Sequence, residues 1–199
     1  CEKASEGCKN CYAEAMCKRF PTLNGKEFRP KVKFGSKPPK NGVVFCGNMT
    51  DLFGEWNTDE SIIEWARSVS CGAVNLFLTM RAERLAEMVD RLPDQGLRFY
   101  GITAENQDRL EERLGALFMH KKRWLSLEPL LGQINFREAM AIVNDIGDDF
   151  TEVVDWVVVG AESGANRRAC KIEWVESVVG QCLHYKIPVF VKQLDINGK

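Results

Sequence analysis

Six short apolar runs, each followed by polar residues and then by an amphipathic stretch, constrain this chain more than any other feature. They are VVFCG (43–47), VNLFL (74–78), LRFYGI (97–102), RWLSL (123–127), DWVVVG (155–160) and IPVFV (187–191). Unbroken apolar runs of this length suit strands covered on both faces, as in a parallel sheet. Between them TDESIIEWARSVS, AERLAEMVDRL, NQDRLEERLGALFMH, FREAMAIVNDI and IEWVESVVGQCLHY repeat with helical period. Thr58, with Ser61 nearby, and Asn106 stand where helix N-caps belong. Strand and helix in alternation predict a parallel α/β fold of about six strands with outer helices, either doubly wound or a barrel.

A second periodicity favours the barrel. Asp51, Arg81, Glu105, Glu128, Glu162 and Lys192 each follow an apolar run, and successive markers are 23 to 34 residues apart, the length of a βα unit. Polar groups thus gather at the carboxyl ends of the strands, where parallel α/β folds place their active sites. The expectation is a partial TIM-type (β/α) barrel. Its polar mouth would include Asn48, Thr50, Thr103 and Ser163, facing an N-terminal thiol loop. Arg81 and Lys192 are the cations expected to offset Glu105, Glu128 and Glu162.

That loop, CEKASEGCKNCY, holds Cys1, Cys8 and Cys11, spaced C-x6-C-x2-C, ahead of a helix expected over residues 9–20. A disulfide pairs thiols and strands the third, so the odd count points to metal. Zinc would want a fourth ligand, with Cys17 in reach. An iron–sulfur cluster on three thiolates would leave one iron open, and reduced, unliganded thiols are the plain alternative. Cys46, Cys71, Cys170 and Cys182 read as packing residues. So do Trp56, Trp65, Trp124, Trp156 and Trp174, while His120 and His184 sit near helix C-termini.

With 199 residues the chain suits a single domain, 1–199, with the cysteine loop, helix and basic connector over 1–42 and the βα repeats over 43–199. A net charge of −1 gives no global bias towards nucleic acid, although the stretch 26–40 holds six cations against Glu27 and could touch phosphates or a partner protein. No apolar run is long enough to cross a bilayer, and a cytoplasmic protein with reduced thiols is expected. Because the sequence opens on Cys1 rather than Met, an upstream segment is also expected.

The strings SEGCKNCYAE, GNMTDLFGE, FLTMRAERL, GITAENQDRL, WLSLEPLLG, DWVVVGAESG and VFVKQL, in this order, resemble the phage Gp37/Gp68 family, also called DUF5131 or three-Cys-motif proteins. Members look like radical S-adenosylmethionine proteins with a partial barrel, distantly similar to spore photoproduct lyases. The resemblance implies that Cys1, Cys8 and Cys11 ligate a [4Fe–4S] cluster whose open iron binds S-adenosylmethionine and splits it reductively. Asn48, Thr50 and Asp51 would meet the cofactor's amino group. Glu105, Glu128, Gly160, Glu162 and Ser163 would lie towards its ribose and adenine, and Thr103 would be a further cofactor contact. The spacing departs from the commoner C-x3-C-x2-C, and Asn10 precedes Cys11 where an aromatic residue is usual. By fold-level analogy alone, the substrate would be a nucleic acid or nucleotide. Two readings of other classes stand beside this one. One is a non-enzymatic module, stabilised by zinc or a cluster, that binds nucleic acid or a protein; the other is metal-dependent hydrolysis at the carboxylates.

Overall fold

The structure is a computed structural model that describes residues 1–20, 39–69, 72–93, 96–142, 150–164 and 166–194. The basic stretch 26–40 therefore lies, up to residue 38, outside the described residues, as does Cys71. Six strands form one sheet: β1 (Val43–Cys46), β2 (Val74–Thr79), β3 (Leu97–Thr103), β4 (Arg123–Leu127), β5 (Trp156–Gly160) and β6 (Val189–Gln193). The helices are α1 (Tyr12–Arg19), α2 (Asp59–Ser68), α3 (Ala82–Glu87), α4 (Gln107–Arg113), α5 (Phe136–Ile142) and α6 (Ile172–His184). Thr58 and Asn106 cap α2 and α4, their side chains accepting from the amides of Ser61 at 3.2 Å and Arg109 at 3.0 Å. No helix among the described residues is long and apolar enough to cross a membrane.

Strand order settles the choice between the two architectures. All pairs are parallel and the order is β1-β2-β3-β4-β5-β6, so the chain never doubles back across the sheet. A doubly wound sheet needs such a reversal. Crossovers of one hand without one put every helix on the same face, and the sheet curls into a half-barrel with a helix-covered convex side. The main core lies under those helices: Phe77, 1% exposed, stacks on Tyr100 at 4.9 Å and meets Trp65 edge-on at 5.9 Å. Burying one such ring is worth about 1.5–3 kcal/mol.

The concave side has a smaller apolar cluster of its own, built on Leu76, Trp124 and Val158, with Phe99 and Trp156 packed against it. Four of the tryptophans pack as the sequence predicts, but on two different faces. Trp65 and Trp174 pack against the main core, whereas Trp124 and Trp156 stack on each other across the concave face. Trp56 lies under the Arg81 guanidinium, 4.7 Å from its ring. Strand periodicity cannot separate the two faces when both are apolar.

Candidate functional site

At the carboxyl edge of the half-barrel the strand ends and the cysteine loop enclose a cavity of about 470 Å³. Cys1, Cys8, Cys11 and Tyr12 wall one side of it, and Asn48, Thr50 and Asp51 another. Thr103, Ser126, Glu128, Glu162, Ser163 and Lys192 complete the wall from β3 to β6. Of the residues the sequence pointed to, Glu105 and Gly160 stand behind this wall rather than in it.

The loop is shaped by its own backbone and then pinned from behind. Glu6–Cys8 forms one 3-10 turn, with the Cys8 and Lys9 amides donating to Ser5 and Glu6 carbonyls at 3.1 Å. Glu105, fully buried, accepts from the Ser5 hydroxyl and from the Gly7 amide at 3.2 Å, and its other oxygen takes Arg113 at 3.1 Å. A Cβ on Gly7 would lie 3.0 Å from that carboxylate, so the close approach favours glycine. Asn106 and Arg109 hold Glu6 at 2.6 and 3.3 Å, and Arg168 reaches the Glu6 carbonyl at 2.8 Å.

Glu162 pins the far end of the loop. It accepts from Asn10 at 2.9 Å, from the Arg168 amide at 2.7 Å and from the Arg168 guanidinium. Burial alone would raise this carboxyl, but the hydrogen bonds from Arg168 and Asn10 outweigh it and hold its pKa at about 2. Sequence reasoning had offered Arg81 and Lys192 as the balancing cations. Lys192 does pair with Glu128, at 2.9 Å. Arg81 instead serves Asp51 at 3.1 Å and Glu55 at 2.8 Å.

Asp51 closes the turn after β1. It accepts from the Phe53 amide at 3.0 Å, the Thr79 hydroxyl at 2.8 Å and the Met80 amide at 3.1 Å. Gly47 opens that turn with φ +83°, a conformation that suits glycine, and its carbonyl accepts from Thr50 at 3.0 Å. Tyr12 ties α1 to the same turn by donating to the Asn48 carbonyl. Burial, then the charges of Cys11 and Glu128, push its phenol above the ordinary value.

Cys8 donates to the Met80 thioether at 3.3 Å, and Met80 lines the cavity. The sequence points to its neighbour Arg81 but not to Met80, although Met80 occupies the same strand-end position. Ser126, next to Thr103 in the β3–β4 register, was likewise missed. Cys17 is buried on α1, away from the cavity, and burial raises the Cys46 and Cys182 thiols to about 12. Among the described residues no three His, Cys, Asp or Glu side chains are gathered closely enough to hold a single metal ion. Four carboxylates, Glu2, Asp51, Glu128 and Glu162, line the cavity, and the last three are paired, with Arg81, Lys192 and Arg168 respectively.

A family model described as "Protein of unknown function (DUF5131)" matches residues 1–196. No curated protein and no solved structure matches significantly.

Proposed function

The chain belongs to the DUF5131 family, and from that premise we propose that it is an iron–sulfur protein of the radical S-adenosylmethionine type. The observation that carries the reading is the convergence of Cys1, Cys8 and Cys11 on one cavity at the carboxyl edge of a half-barrel. A lone zinc draws its ligands to about 2.0–2.3 Å and needs them gathered, whereas cluster thiolates sit on separate irons. When bound, a [4Fe–4S] cluster supplies the electron that splits the sulfonium of S-adenosylmethionine.

The chain's own residues do the rest. Glu105 and Glu162 fix the loop on either side of Cys8, so the thiols are presented before any metal arrives. Glu128, whose partner Lys192 is an exposed side chain, and the exposed Glu2 can meet sulfonium and ammonium groups. Thr103, Ser126 and Asn48 offer hydrogen-bonding groups for an amino acid or a ribose. Phe45, Leu78 and Met80 keep part of the wall dry. A hydrolytic metal held by the carboxylates draws no support, because Asp51, Glu105 and Glu162 are each matched to an arginine.

Anaerobic purification followed by iron, sulfide and zinc analysis tests the reading. The expected result is about four irons per chain, lost in Cys8→Ala, with an absorption spectrum that changes when S-adenosylmethionine is added. One tightly held zinc and no spectral response would overturn it and leave a metal-stabilised binding module.

A further inference from the structure

The concave side of the half-barrel is closed from below. Trp124 lies across Gly101, where any Cβ would collide with it, and its indole donates to the Phe77 carbonyl at 2.8 Å. Trp156 stacks on Trp124 at 5.3 Å, and Leu76, Phe99 and Val158 pack around the pair. The cavity therefore has a floor, and a ligand enters from the mouth. Thr103 and Ser126 stand on that floor. Side chains alternate along a strand, so Thr103 shares the face of Phe99, and Ser126 that of Trp124, both in the concave cluster.

The two residues are partners in the β3–β4 register, are 4% and 3% exposed, and line the cavity. Neither hydroxyl has a hydrogen-bond partner among the described residues. Buried polar groups are paired as a rule, so two unpaired ones side by side in a cavity wall point to a ligand. Its chemistry follows from theirs. A hydroxyl both donates and accepts, and neighbouring strands bring the two to about 4.8 Å between backbones. Adjacent hydroxyls of a sugar ring also donate and accept, and reach one to each. A carboxylate or phosphate only accepts, and the cations of the wall are taken: Arg81 by Asp51 and Glu55, Lys192 by Glu128. Leu78, Tyr12 and Phe45 line the same cavity and offer apolar surface to the C–H side of a ring.

We propose that Thr103 and Ser126 form a subsite for the vicinal diol of a sugar ring. The proposal deepens the reading of the cavity and rests on it for the place of the ligand, not for the metal. A nucleoside and a free sugar both carry such a diol, and the test separates them.

The experiment is isothermal titration calorimetry of the full chain as purified, with adenosine, its 2′-deoxy and 3′-deoxy analogues, and D-ribose. Iron and zinc are measured on the same sample, and circular dichroism checks folding. Adenosine should bind about three- to tenfold more tightly than either deoxy analogue, the worth of one neutral hydrogen bond. Thr103→Val and Ser126→Ala should each weaken adenosine by a similar factor, and the double variant should bind all three nucleosides alike. Because the two hydroxyls have no partner in the protein, the double variant should melt no lower than the wild type. Binding of D-ribose as tight as that of adenosine would make a free sugar the occupant, and binding of adenosine alone a nucleoside. Absence of binding by the folded wild type, equal affinity for the deoxy analogues, or a preference for the diol that survives in the double variant would overturn the proposal. A lowered melting point in the double variant would do the same, since the hydroxyls would then serve the fold. The metal content decides the iron–sulfur reading independently, so either fails without the other.

Discussion

Replacing Glu162 with glutamine tests whether a buried carboxylate holds the cysteine loop. The gap between its ordinary pKa of 4.5 and the native value of about 2 corresponds to about 3 kcal/mol at ~1.4 kcal/mol per pH unit. The Arg168 side chain is 25% exposed, so solvent screening trims this to roughly 2 kcal/mol. The sign follows from the depressed carboxyl. The charged form is favoured in the native state, so its stabilisation is complete above pH 4.5 and fades as pH falls towards 2. Glu162→Gln should therefore be less stable than the wild type by roughly 2 kcal/mol at neutral pH, and the difference should vanish in acid. Urea titrations of both proteins across that range measure it. Alkylation of Cys8 and Cys11 should also be somewhat faster in the variant at neutral pH, because Asn10 between them exchanges a charged acceptor for a neutral one while keeping its bond to the Asn166 carbonyl. A stability difference that is the same at neutral and acid pH would refute the electrostatic account.

Glu105→Gln takes from the guanidinium of Arg113, 2% exposed, its hydrogen-bonded carboxylate and leaves it only the more distant Glu112 carboxylate at 3.8 Å, and should cost about 3 kcal/mol. Replacing both by apolar residues, Glu105→Leu with Arg113→Met, should recover much of that in a thermal melt, yet still free the loop for alkylation because Gly7 and Ser5 lose their acceptor. Cys46 and Cys182, their thiols raised by burial to about 12, should stay unmodified in a brief iodoacetamide pulse at mildly alkaline pH while the half-buried Cys8 and Cys11 react. Mass spectrometry of the digest would show otherwise if either buried thiol were labelled at the same rate.

The strands were legible because each carries its own signal: a run such as WVVVG has to be covered on both sides wherever it lies. Strand order is a relation between distant segments, so the sequence reached the partial barrel only through the spacing of its polar strand ends, and the pairing then bore it out. Of the residues after each strand, Asn48, Thr50, Asp51, Arg81, Thr103, Glu128, Glu162, Ser163 and Lys192 line the cavity, whereas Glu105 and Gly160 stand behind it. Their partners were less readable. Arg113 reaches Glu105 only because of where α4 turns its last residue, and Arg168 reaches Glu162 through the bend after β5. Residue type and spacing fix neither.

Those pairings decide which carboxylate remains open to a ligand. An ionised carboxylate has about four lone-pair sites. Asp51 commits its oxygens to two backbone amides, Thr79 and Arg81, and Glu162 commits its own to Asn10 and Arg168. Glu105 is sealed behind the loop with Ser5, Gly7 and Arg113. Breaking any of these sets would strand a buried charge or donor, a cost of several kcal/mol that a ligand contact of ordinary strength does not repay. Glu128 differs. Its cation is Lys192, a flexible side chain 52% exposed, and Gln193 adds a bond at 3.2 Å. An exposed lysine can swing back to water for at most about 1 kcal/mol. Beside the exposed Glu2, Glu128 is thus the wall carboxylate whose charge can pass from a protein partner to a cationic ligand without loosening the cysteine loop, and Asp51, Glu105 and Glu162 hold the frame within which it does so.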